Sequence, residues 1–162
     1  QMLCATHWLH LFKNYYKGEI TDFKRVKDLK AWLSDDTNTH PLERPAWGLT
    51  HMRHPCTIWT NESYDNYVWH WRLGVALCHE YTKRYKRQHK AEPVFDWLGK
   101  NKPRFMKSKG LTPFAICMKD EYKVGTDPVA SYRQYYIKDK VRFAKWEPHS
   151  TTPKWYKEML NA

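Results

Sequence analysis

Between residues 64 and 85 the apolar positions recur with a helical period and sort onto faces of different character. Tyr64, Tyr67, Trp71, Gly74, Val75, Cys78, Tyr81 and Tyr85 share one apolar face, and Asp65, Arg72, His79, Lys83 and Lys86 form a narrow solvated stripe. The third face mixes Trp69, Leu73 and Leu77 with Asn66, His70, Glu80 and Arg84. The pattern predicts one long helix fed by an ordered loop. Thr60, Asn61 and Ser63 suit its N-cap, Glu62 and Asp65 its positive end, and Lys83, Arg84, Lys86 and Arg87 its negative end. Polar groups among large apolar neighbours must be paired or must meet a ligand. An i,i+4 bridge between Glu80 and Arg84 and a loop partner for Asn66 are the ordinary pairing.

Elsewhere the periodicity is shorter. Residues 1–12 carry helical apolar spacing with no cap before them and no Met at position 1, so the chain reads as starting inside a helix and lacking a short N-terminal segment. Phe23, Val26, Leu29 and Leu33 line one side of an amphipathic helix over 22–33, and a long Pro-, His- and Asn-rich loop is expected over 34–59. A short helix over 93–98 is terminated by Gly99. Residues 100–113 look irregular and basic. Asp127 and Pro128 suit N-cap and N1 of a helix running to about Lys138, with Tyr132, Tyr135 and Tyr136 on a ring-rich face, and Pro153 opens a last short helix. There is no convincing strand alternation. The expected fold is mainly α: a single compact helical domain over 1–162 with long ordered loops.

Composition narrows the class. The 162 residues are 16% aromatic, with nine Trp and eleven Tyr, which a disordered chain would lack. No apolar run approaches a membrane span, and no signal or transit peptide is visible. The net charge of +11 is one-sided. Residues 1–80 carry nine Lys+Arg and nine Asp+Glu, whereas 81–162 carry nineteen and eight. Ten Lys+Arg against two acidic residues fall between 81 and 109. Such a surface is the electrostatic footprint of nucleic-acid binding, and an acidic protein partner fits it as well.

Cys4, Cys56, Cys78 and Cys117 are dispersed, as suits reduced thiols in a cytoplasmic protein. His51, His54 and Cys56, with Cys78 or His79 as a fourth ligand, match no standard zinc spacing, so neither a metal nor another cofactor is expected.

Nearly the whole chain takes part in a set of motifs: HPCTIW (54–59), SxxNYxW (63–69), EYTKRY (80–85), HK (89–90), GLTPFA (110–115), DEYK (120–123), SYRQYY (131–136), FAKW (143–146) and PxWY (153–156). Together they resemble a family of small proteins encoded mostly by bacteriophages and environmental bacteria, described as similar to pyrimidine-dimer DNA glycosylases of the endonuclease V type. The resemblance implies chemistry by an N-terminal amine and a helix-borne carboxylate. Family members carry a His- and Asp-bearing helix ahead of Gln1-Met2-Leu3-Cys4, so neither catalytic group maps onto a residue of this sequence.

The expected function is therefore action on DNA bases, as a glycosylase/lyase or as a transferase on modified thymine. The substrate would be double-stranded or locally unpaired DNA, in a phage-infected or bacterial cytoplasm and without a membrane. Glu80 is the candidate catalytic carboxylate, with His54 and His89 as proton-transfer or phosphate-orienting groups. Asn66, Trp69 and His70 are base-pocket candidates, and Trp59, Tyr67, Tyr81, Tyr135 and Tyr136 are further candidate walls. Phosphate contacts are assigned to Lys83, Arg84, Lys86, Arg87 and Lys90 at the helix end, and to Lys100, Lys102, Arg104, Lys107 and Lys109 on the loop beside it. The alternative is a non-catalytic DNA-binding or virion/packaging-associated protein, favoured by the absence of GxSxG, HExxH and P-loop patterns.

Overall fold

Ser63 interrupts what the periodicity presents as a single approach to the long helix. Its extended backbone (φ −151°, ψ 153°) ends one helix and caps the next, its Oγ accepting from the amides of Asp65 and Asn66. In the computed structural model, which describes residues 1–16, 18–35, 45, 47–103 and 106–161, seven α-helices follow. They are α1 (Met2–Tyr15), α2 (Val26–Ser34), α3 (Pro55–Glu62), α4 (Tyr64–Tyr85), α5 (Glu92–Lys100), α6 (Pro128–Tyr135) and α7 (Lys154–Leu160). Short 3-10 turns cover Ile20–Asp22 and Asp120–Tyr122, and a π-helical turn over Tyr136–Lys140 extends α6. The described residues form one compact helical domain without a strand. None of the helices is long and apolar enough to cross a membrane.

Three local expectations change. The 34–59 loop is shorter than read, because His54 caps a helix that Pro55 opens at N1. The long helix begins at Tyr64, after α3, since only Ser63 has the side chain and backbone to satisfy the first amides of α4. Gly99 lies inside α5, which runs on to an Asn101 C-cap. A Cβ there would meet the Trp71 ring at 2.8 Å, so the glycine is required by close packing against α4. Asp127 caps α6 as its sequence implies, accepting from Val129 and Ala130.

Helix α1 joins two apolar clusters. Ala5, Trp8, Leu11 and Phe12 pack against Leu29 and Leu33 of α2 and against Leu49. Leu3 and Cys4 pack against Tyr67 of α4 and against Val94 and Leu98 of α5. Each large side chain removed from water contributes roughly 1.5–3 kcal/mol. His7 sits at the junction, its Nε2 2.8 Å from the Tyr67 hydroxyl and its ring edge-on to Tyr67 and Trp97. The close approach of α4 to α5 depends on Gly74, where any Cβ would overlap the Phe95 ring.

A strap formed by residues 107–112 is lashed to the start of α4. The Tyr64 amide donates to Lys107 O, and the Ser63 hydroxyl donates to Gly110 O at 2.9 Å. Asp65 accepts from Ser108 Oγ and from the amides of Lys109 and Gly110. Wholly buried Asn66 donates to Trp59 O and Thr112 Oγ1 and accepts from the Thr112 amide, which satisfies its whole amide group.

Two substitutions test this packing by urea denaturation. Gly74→Ala is expected to lose about 1–3 kcal/mol by overpacking against Phe95. Asn66→Ala is expected to lose about 2–4 kcal/mol, because it leaves backbone groups of α3 and the strap unpaired.

Candidate functional site

The strap delivers Phe114 to the mixed face of α4, and there the rings meet. Phe114 lies 4.5 Å from Trp69 and 5.3 Å from Trp59, centroid to centroid, while Trp59 and Trp69 make an edge contact at 5.7 Å. Across from them stand Tyr132 and Tyr136 of α6 and its π-helical extension, and Trp155 of α7. Together these residues enclose a cavity of about 440 Å³, with His70, Leu73, Cys56 and Arg133 also on its walls. The guanidinium of Arg133 lies 5.4 Å from the Trp155 ring centroid, a cation–π distance that sets a positive charge among the rings.

His70 supplies a directed polar group. Thr60 Oγ1 lies 2.6 Å from Cys56 O and 2.7 Å from His70 Nδ1. The hydroxyl has one proton, and a carbonyl can only accept, so that proton goes to Cys56 O. His70 Nδ1 must then carry hydrogen and donate to Thr60, which leaves Nε2 as an acceptor. Burial pushes the His70 pKa down to about 4, so the ring is neutral at physiological pH. The cavity thus offers aromatic faces, one acceptor nitrogen and one guanidinium.

A larger groove of about 830 Å³ shares Tyr132 and Tyr136 with this cavity and continues toward the end of α4 past Leu77 and Glu80. Glu80 accepts from Ser150 Oγ at 2.5 Å and from Arg84 Nε at 2.7 Å, and Arg84 also donates to Lys145 O. The Ser150 hydroxyl first, and then Arg84, hold the Glu80 carboxyl below its usual range. Glu80 is therefore an ionised, braced group, suited to stabilising positive charge rather than to donating a proton.

The three catalytic candidates have no partner in common. His54 caps α3, its Nδ1 accepting from the Cys56 amide at 3.1 Å. His89 Nδ1 accepts from the Ala91 amide, and its ring packs edge-on to Tyr81. Of the base-pocket candidates, Trp69 and His70 line the cavity, whereas Asn66 has all its hydrogen bonds inside the fold. Among the further candidate walls, Trp59 and Tyr136 line the cavity, Tyr81 and Tyr135 line the groove, and Tyr67 is core.

The basic residues divide. Lys83, Lys86, Arg87 and Lys90 are exposed at the end of α4, and Arg84 is partly covered there. Lys107 and Lys109 are exposed on the strap at the opposite end, about 30 Å away along 20 residues of helix. Lys102 lies over the Trp71 ring at 4.2 Å, and Lys100 is exposed at the end of α5. Arg104 lies outside the described residues. Neighbours in sequence thus form separate basic clusters, because the chain runs back along α4 through α5 before reaching the strap.

Arg133, Phe114, Tyr132, Trp155 and Cys117 were not singled out as site residues. The ring-rich face of α6 and the PxWY motif were the signals that pointed toward them. Cys117 Sγ lies 3.4 Å from Cys56 Sγ, and burial followed by the hydrogen bond shared with Cys117 pushes the Cys56 thiol up to about 12. All four cysteines are free thiols.

No protein-family model matches the chain, and no curated protein or solved structure matches it.

His7 and His70 make the fold acid-sensitive. Burial lowers both pKa values from 6.5 to about 4. A depressed folded-state pKa contributes stability that is fully present above pH 6.5 and is lost as pH falls through 4. Urea midpoints measured from pH 7 down to 4.5 should therefore fall, with of order 1–3 kcal/mol from each ring. In His70→Gln this pH dependence should be shallower than in the parent.

Proposed function

We propose that this chain is a DNA-binding protein that takes an unstacked base into the aromatic cavity beneath α4, as part of acting on DNA bases. One observation carries the reading: a 440 Å³ cavity whose walls are six aromatic rings, with Arg133 among them and a neutral His70 acceptor. Aromatic faces accept any base by stacking, and a guanidinium beside them suits the phosphate that follows an extruded base. His70 Nε2 can accept from an amino or imino N–H on the edge of that base. The exposed lysines and arginines at both ends of α4 are placed to hold the flanking backbone, which suits a length of nucleic acid crossing the cavity better than a small ligand.

The base-processing form of this reading places Glu80, ionised and braced in the adjoining groove, where positive charge develops at the sugar. The phage-type family resemblance points the same way. The non-catalytic alternative has one observation in its favour: Glu80, His54 and His89 are each held by structural hydrogen bonds and do not converge.

Tryptophan fluorescence, with DNA as titrant, tests the proposal. Single-stranded DNA or a mismatched duplex should bind more tightly than a matched duplex and quench emission. Trp69→Ala should weaken binding by about 1–3 kcal/mol through lost stacking. Lys86→Ala should weaken all DNAs alike and lower the salt slope by about one unit. Equal affinity for matched and unpaired DNA, unchanged in Trp69→Ala, would refute the base pocket. Base release or strand breakage from dimer-containing duplex, lost in Glu80→Gln, would select the enzymatic form.

A further inference from the structure

Three soft metal-ligating side chains converge at the edge of the aromatic cavity, although they come from segments 61 residues apart. Cys56 Sγ and Cys117 Sγ lie 3.4 Å from each other. A ring nitrogen of His54 joins them, so that the three ligand atoms all fall within 4.8 Å of one another. Around a tetrahedral zinc ion, sulfurs at about 2.3 Å from the metal stand ~3.8 Å apart. The existing triangle is thus within about an ångström of one that could close on such an ion.

The surroundings hold this triangle in place. Cys56 occupies the first turn of α3, directly after Pro55. Its carbonyl accepts from Thr60, and its amide donates to the His54 Nδ1 lone pair, a bond that the imidazole gives up when that nitrogen takes the metal. On the other side, the Tyr132 hydroxyl donates to Ala115 O at 2.9 Å and accepts from the Cys117 amide at 3.3 Å. That hydroxyl clamps the backbone on both sides of Ile116 and so presents the Cys117 thiol to Cys56. Outer hydrogen bonds of this kind orient metal ligands.

We propose that His54, Cys56 and Cys117 form a three-ligand site for a soft divalent cation of the zinc class. A Cys2His set leaves a fourth position for water or another ligand. Because Cys56 and Tyr132 also line the aromatic cavity, that fourth position adjoins the space where a bound molecule would sit. Two close thiols match soft ions, whereas magnesium and calcium require oxygen ligands. Sequence spacing offers His51, and Cys78 or His79, as companions to His54 and Cys56, and it matches no standard zinc pattern. In the fold, however, the missing ligand is Cys117. Cys78 is buried on the apolar face of α4, and His79 lies on its exposed stripe. The site stands independently of DNA binding.

Cobalt(II) titration of the reduced 162-residue chain provides the test. One equivalent should produce the near-ultraviolet absorption of thiolate-to-cobalt charge transfer, and zinc should abolish it by displacement. Imidazole-only binding by the other histidines gives no such band. Cys56→Ser and Cys117→Ser, checked for folding by circular dichroism, should each lose the band. His54→Ala should keep a weakened one. Tyr132→Phe retains all three ligands and should bind cobalt roughly 10–100-fold more weakly. Absence of the band in the parent chain would overturn the proposal. So would a band that persists in both serine variants, since Cys4 or Cys78 would then be the ligand.

Discussion

The bond network at the start of α4 is the constraint on which the rest depends. Ser63, Asp65 and Asn66 lie within four residues of sequence, yet they hold backbone groups of residues 59, 109, 110 and 112 and the hydroxyl of Ser108. The burial of Asn66 is tolerable because both of its amide hydrogens and its oxygen are used. The same side chain therefore fixes three things at once: the turn from α3 into α4, the height of the strap above the helix, and the starting point of residues 113–117. Polar networks of this kind stabilise one arrangement sharply, because partial satisfaction is worse than none.

From that anchor the cavity follows. Phe114 is two residues beyond the Thr112 that Asn66 holds, so its ring lands between Trp59 and Trp69. Cys117 is three residues further, and Tyr132 catches its backbone on the way. The C-terminal helices then close the other wall with Tyr136 and Trp155. Leu73 and Leu77 on the same face of α4 are 42% and 62% exposed, so the described residues do not fully cover α4. Large apolar surface left open beside a polar acceptor and a guanidinium is the pattern of a binding site rather than of an interior.

Electrostatics divides the molecule in a complementary way. The titratable groups nearest the cavity are neutral His70 and the high-pKa Cys56, whereas Glu80 is kept ionised in the adjoining groove. Arg133 sets one guanidinium on the cavity wall, and exposed lysines and arginines stand outside it toward the two ends of α4. An apolar centre flanked by separated cationic clusters would let long-range attraction and local packing act on different parts of the nucleic acid proposed as ligand. Neither function needs the other residue set, so each can be altered by substitution alone.

The helical class was legible because periodicity is a local property. Residues 64–85 carry it strongly enough for the two polar pairings, Glu80 with Arg84 and Asn66 with a loop, to be read from their spacing. The Asp127 cap was equally legible, since a cap involves only its own next few amides. The boundary at Ser63 was less so, because Thr60, Asn61 and Ser63 have similar capping chemistry. What selects Ser63 is its bond to Gly110, 47 residues away. The joining of Cys56 to Cys117 and of Trp69 to Phe114 left no mark in spacing at all. Sequence by itself determined helices, caps, the aromatic stock and the one-sided charge, since these depend on neighbours within a turn or on simple sums. Tertiary structure alone decided which rings share a cavity, which thiols meet, and how the basic residues divide, because those contacts depend on the path of the chain between helices.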